Sequence, residues 1–223
     1  LKALNWRPPE EFVAKAADSV IDLYGVVIKP VDFDPELRYP VLEYIYGGPQ
    51  VVNTPRSFTQ STLQQAFAQL GFIVVTLDAR GTTERGKAFQ DVVYQNFGRN
   101  EIPDHVAALR QAATTRPYMD MSRLGIFGGS WGGYMTVRAA VLAPDVYQVG
   151  VARYPVVDLY DHWNLIESYM GLPVENRAGY DYASSLRLVG NLKGKLLLTH
   201  GTSDVNATFS ATMKMVEALT RAN

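Results

Sequence analysis

Short apolar runs alternate along this chain with stretches whose apolar residues recur at helical spacing. That alternation predicts an α/β fold, a mostly parallel sheet with helices on both faces. Strands are expected at residues 23–29, 41–46, 72–78, 123–127, 149–152 and 195–200, and helices at 61–70, 104–114, 131–142 and 210–221. The first strand is polar enough at alternate positions to be an edge, whereas Ile73-Val74-Val75-Thr76-Leu77 and Leu196-Leu197-Leu198 read as buried on both faces. Gly71 falls where the first helix needs a carboxyl cap, and Pro103 lies where the second begins. Residues 173–185, rich in polar and turn-forming side chains, read as an irregular excursion. No repeat or low-complexity segment interrupts the pattern.

In an open α/β sheet, ligands meet the carboxyl ends of the strands. The segments expected there are 46–49, 78–81, the turn at Ser130, 154–163 and 200–206. A chain of 223 residues suffices for one sizeable core, so a single domain is expected. Twenty-one basic residues against 22 acidic ones, with no basic run, give no surface for nucleic acid. The absence of cysteine removes thiol chemistry, and three histidines (His105, His162, His200) with no spaced carboxylate cluster give no metal site and call for no cofactor. No segment approaches the ~20 apolar residues of a membrane span, and no basic-then-apolar leader opens the chain. No membrane partner is expected, and a cysteine-free core of this size fits cytoplasm and periplasm equally. Leu1-Lys2-Ala3-Leu4-Asn5-Trp6 reads as the middle of something and the last residues stop inside a helical pattern, so a piece truncated at both ends is expected.

The chemistry centres on Gly128-Gly129-Ser130-Trp131-Gly132, set between the 123–127 strand and the 131–142 helix. A serine held by glycines in so sharp a strand-to-helix turn is pushed out above the sheet edge at a helix amino end, which favours developing negative charge. Acyl transfer also needs a base, a carboxylate to orient it, and oxyanion donors. Asp204, just past the last strand, comes in the serine-then-acid order of α/β hydrolases; its plainer reading is a turn or helix cap. The amide of Trp131 is one expected oxyanion donor. The second is either the phenol of Tyr46, ahead of Gly47-Gly48-Pro49, or Tyr46 is merely a strand-end tyrosine; spacing leaves both open.

Gly128-Gly129-Ser130-Trp131-Gly132-Gly133-Tyr134-Met135, Tyr46-Gly47-Gly48-Pro49 and His200-Gly201-Thr202-Ser203-Asp204-Val205-Asn206 together resemble the catalytic domain of the prolyl oligopeptidase family of serine peptidases. Tyr160-Asp161 and Glu167-Ser168-Tyr169-Met170-Gly171-Leu172-Pro173 resemble most its bacterial dipeptidyl peptidase IV branch. The resemblance covers nearly the whole chain. It implies an α/β-hydrolase fold, Ser130 as nucleophile, Asp204 as triad acid and Tyr46 as oxyanion donor. It further implies that Tyr160 lines the pocket for the residue before the scissile bond and that Asn206 binds a substrate carbonyl. The expected substrate is a short peptide cut after proline or alanine. A β-propeller domain preceding this one is also implied, and a homodimer is compatible with the family.

Two departures stand out. The segment between Pro155 and Tyr160 is shorter than in that branch and lacks a tryptophan. In the family the base is a histidine after the acid, beyond one more strand, and residues 205–223 contain none. His105 and His200 read as structural, His162 as a substrate contact. The 223 residues alone are therefore expected to be inactive, since losing a triad member leaves only residual catalysis. Competing readings are an acylaminoacyl peptidase or esterase with the same machinery, a non-catalytic binding relative without the base, and a nucleotide-binding loop at 128–133. The last lacks the lysine such loops carry.

Overall fold

The computed structural model describes residues 6–57, 62–161 and 165–222. Seven strands form one sheet: β1 (Glu10–Lys15), β2 (Asp22–Ile28), β3 (Tyr39–Tyr44), β4 (Ile73–Asp78), β5 (Met119–Gly129), β6 (Val149–Arg153) and β7 (Lys195–Thr199). Their spatial order is β1-β2-β4-β3-β5-β6-β7. β1 and β2 pair antiparallel, as do β2 and β4, and every pairing from β4 through β3, β5 and β6 to β7 is parallel. This is the expected α/β-hydrolase arrangement.

Period-two alternation decides what each face of the sheet buries. On β4, Ile73, Val75 and Leu77 enter the main core with α3 (Glu101–Thr114) and α4 (Trp131–Leu142). Val74 points the other way, to Val26, Ile28 and Ala68 of α1 (Leu63–Gln69). α7 (Phe209–Ala222) completes the first layer by packing Ala211 and Met215 against Val137 of α4 and Ala152 of β6. Helix α1 starts later than its apolar pattern suggests because Thr62 and Gln65 form a reciprocal capping box, and Gly71 follows it at φ +92° as expected of a carboxyl cap.

Several expectations are corrected. Residues 23–29 are not an edge: β2 lies between β4 and β1, and β1 takes the edge with only Phe12 and Ala14 turned inward. Leu197 is 55% exposed, because β7 pairs only with β6 among the described residues and α7 covers one face alone. The excursion at 173–185 contains α6 (Arg177–Ala183), capped by Asn176, whose Oδ1 accepts from Gly179 N at 3.1 Å, and burying Tyr180 and Ala183. Two further helices lacked a clear sequence signal, α2 (Lys87–Gln90) and α5 (Leu165–Met170), the latter burying Ile166 and Met170.

Candidate active site

β5 delivers the chain to Gly129 and α4 begins at Trp131, so Ser130 alone makes the turn, at φ +57° and ψ −119°. A non-glycine residue there is strained by about 1–3 kcal/mol and persists only where its surroundings fix it. They do: Ser130 N donates to Arg153 O at 3.0 Å on β6, and Ser130 O accepts from Tyr134 N at 3.0 Å in α4. A β-carbon at Gly128 would lie 2.3 Å from Gly132 O, and one at Gly132 would lie 2.3 Å from Ile45 O. The glycines thus let strand, helix and the end of β3 close to contact around the hydroxyl.

The chain beyond β3 places Tyr46 against that hydroxyl. Burial pushes the Tyr46 phenol above its ordinary pKa of 10, the nearby Ser130 side chain opposes that, and the neighbouring phenols of Tyr154 and Tyr44 add to the rise. The phenol therefore keeps its proton at neutral pH and can donate it. A β-carbon at Gly48 would sit 2.7 Å from the Tyr46 ring and 3.1 Å from Trp131 Cδ1, so glycine here lets both side chains lie against the loop. Trp131 is the first residue of α4, so its amide lies at the amino end of that helix, next to Ser130.

Asp204 lies in the turn after β7. Its Oδ1 accepts from Asn206 N at 2.9 Å and Ala207 N at 3.0 Å, and its other oxygen lies 3.8 Å from His200 Nε2. The turn-forming reading is thus met by one oxygen, while the other makes no hydrogen bond among the described residues. The same turn sends Asn206 and Ala207 to the pocket beside Ser130.

That pocket encloses about 200 Å³. Ser130, Tyr46 and Asn206 stand at its polar side, and Trp131, Phe97, Val156, Ile166 and Tyr169 form apolar walls. No charged side chain lines it among the described residues. Tyr160 is not brought there. Asp158 Oδ1 accepts from Tyr160 N at 3.3 Å and turns the chain, the phenol donates to Asp181 at 2.9 Å, and the ring lies 5.0 Å from that of Tyr180. Tyr160 lines instead an open depression with Val174 and Arg187. Val156, Ile166 and Tyr169 occupy the place expected of it; the spacing of Ile166 and Tyr169 on one helix face was the only available signal.

Two histidines are committed elsewhere. His105 is fully buried, its Nδ1 2.5 Å from Glu43 Oε1, while Tyr147 donates to Glu43 Oε2 at 2.6 Å. His200 Nε2 donates to Ala207 O at 2.6 Å and Nδ1 pairs with Thr212 Oγ1 at 2.7 Å. Both are structural, as expected; His162 lies outside the described residues.

The model of the prolyl oligopeptidase family matches residues 57–223. Dipeptidyl peptidase 8 of mouse and of human are each 34% identical over 225 residues, covering 98% of this chain and 25% of theirs. The crystal structure of Porphyromonas gingivalis dipeptidyl peptidase 4 superposes with a TM-score of 0.90 at 33% identity, covering 98% of this chain and 31% of that one. The chain thus spans about a quarter of the length of the curated relatives it matches.

Proposed function

This chain belongs to the prolyl oligopeptidase family, and from that premise we propose that it forms the catalytic domain of a serine peptidase that cuts short peptides after proline or alanine. The observation that carries the reading is Ser130, held at positive φ, with the Tyr46 phenol beside it in the lining of one uncharged pocket. Ser130 Oγ attacks the scissile carbonyl carbon while an imidazole takes its proton. The oxyanion is met by the Tyr46 hydroxyl and the Trp131 amide. The tetrahedral species expels the amine, which receives the proton, and water then hydrolyses the acyl-enzyme by the same route.

The base is a histidine other than His105 and His200, whose contacts hold them in the fold, and Asp204 orients it through the oxygen not used by its turn. Asn206, at the pocket mouth, binds a substrate carbonyl. A β-propeller ahead of this domain would restrict access and recognise the peptide's amino end. The pocket itself offers no carboxylate for a free ammonium, an observation that favours acylaminoacyl peptides or simple esters as a second substrate reading.

A fluorophosphonate should label the protein expressed from its complete gene, and Ser130→Ala should abolish the labelling. Persistent labelling of the variant would remove Ser130 as nucleophile. Relative rates on dipeptidyl, acylaminoacyl and plain ester substrates separate the two readings.

A further inference from the structure

Phe97 has no part in the chemistry above, yet its buried ring meets Trp131 edge-on at 4.8 Å and tilts against Tyr169 at 5.7 Å. It therefore joins the pocket wall built by α4 to the wall built by α5. The loop carrying it is pinned on both sides. Ahead of it, Gln95 N donates to Tyr169 O at 2.8 Å, and the Asn176 amide donates to Gln95 O at 3.0 Å. Behind it, Gly98 N donates to the Glu101 carboxylate at 3.0 and 3.1 Å, and Arg138 Nη2 donates to Gly98 O at 3.4 Å.

Glu101 and Arg138 are both buried, and charges so placed are costly unless satisfied. Neither touches Ser130 or Asp204; their shared target is the backbone of Gly98, the residue that follows Phe97, Glu101 holding its N–H and Arg138 its carbonyl. Gly98 itself sits at φ +84°, where a β-carbon would lie 2.7 Å from Arg138 Nε. A backbone held this firmly beneath an aromatic ring sets where the ring can go.

Resting on the peptidase reading, we propose that Phe97 is the specificity-determining floor of the pocket for the residue before the scissile bond, and that Glu101 and Arg138 are positioning residues that hold it there. The ring limits the pocket to compact, uncharged side chains and shuts out aromatic ones.

The test compares kcat/KM for the p-nitroanilides of Ala-Pro, Ala-Ala and Ala-Phe, on the protein expressed from its complete gene. Phe97→Ala raises the Ala-Phe to Ala-Pro ratio by about tenfold or more, the scale on which pocket volume discriminates. Phe97→Leu, a milder change that keeps the core filled, raises it less. Glu101→Ala moves the ratio in the same direction, and Glu101→Gln, which keeps an oxygen for Gly98 N, returns it to the wild-type value. An unchanged ratio in both Phe97 variants, with Ser130 still labelled by fluorophosphonate, overturns the floor assignment while the peptidase reading stands. A uniform loss on all three substrates in Glu101→Ala overturns the positioning role. Absence of labelling in the wild-type protein overturns the reading on which both rest.

Discussion

Two phenols served by the same region of the sheet behave differently. Tyr147 donates to Glu43 on β3, and both groups are buried with His105 in the core. Tyr46, just beyond the end of that strand, is only partly buried and faces Ser130 at the rim. Both pKa values are raised, chiefly by burial, but Tyr147 is also held up by the fixed charge of Glu43, whereas Tyr46 meets a neutral hydroxyl. The buried phenol has a permanent acceptor and contributes to the fold. The rim phenol has a weak partner that can be exchanged for a developing oxyanion, which is what a catalytic donor requires.

Breaking the core cluster should give the largest effect. Glu43→Ala leaves His105 buried without its only hydrogen-bonded partner among the described residues, since Nε2 has none. Removing one member of a buried ion pair costs about 3–5 kcal/mol. The expected outcome is a clear fall in the urea midpoint with fluorophosphonate still reacting at Ser130 in the fraction that remains folded. Glu43→Leu combined with His105→Leu should recover much of the loss, because an apolar replacement of the whole pair strands no charge. If the double variant were as unstable as the single one, packing rather than charge would explain the cluster.

The rim phenol should show the reverse pattern. Tyr46→Phe removes the O–H and keeps the ring, so kcat is expected to drop by about 10²–10³, the usual loss for one oxyanion donor, or about 2.7–4 kcal/mol of barrier. KM and the urea midpoint should change little, because the phenol makes its strongest bond only in the transition state. A KM effect at constant kcat would make Tyr46 a substrate-binding group instead.

The same contrast explains what could be read from the residues. β4 was visible because each of its positions is buried, and α4 because its apolar run follows directly from the glycine turn. The positions of Ser130 and Asp204 just past the ends of β5 and β7 were legible, since both follow directly from where the apolar runs stop. β1 was not, as Phe12 and Ala14 are its only inward apolar residues, Val13 between them faces solvent, and Glu10, Glu11 and Lys15 flank them. Tyr160 was misplaced because whether a tyrosine after a strand turns toward Ser130 or toward Asp181 depends, beyond the local turn at Asp158, on where α6 places Asp181, 21 residues further on. The place of Phe97 and the partner of His105 left no trace, because each contact joins elements far apart in sequence, a loop with α4 in one case and β3 with α3 in the other.

A finer measurement separates core from rim by pH. Burial pulls the His105 pKa down, but the charge and hydrogen bond of Glu43 on β3, with Asp104 on α3 and Asp78 on β4, outweigh it and leave the value raised above its ordinary 6.5. Tyr147, the remaining titratable neighbour, is pushed well above 10 and stays neutral. A raised pKa means the folded state holds the proton more tightly than the unfolded chain does. The stabilisation is therefore complete below pH 6.5 and is lost as pH rises through the raised value. As pH rises above 6.5, the urea midpoint of the wild type should fall by more than that of His105→Gln, in which nothing at this position titrates. On the proposed mechanism the pH dependence of kcat/KM is set by a different imidazole, and it should be the same in both proteins. Equal slopes in the two urea series would mean that His105 carries no extra proton into the folded state, and a shifted rate profile in His105→Gln would mean that core and rim are electrostatically one site.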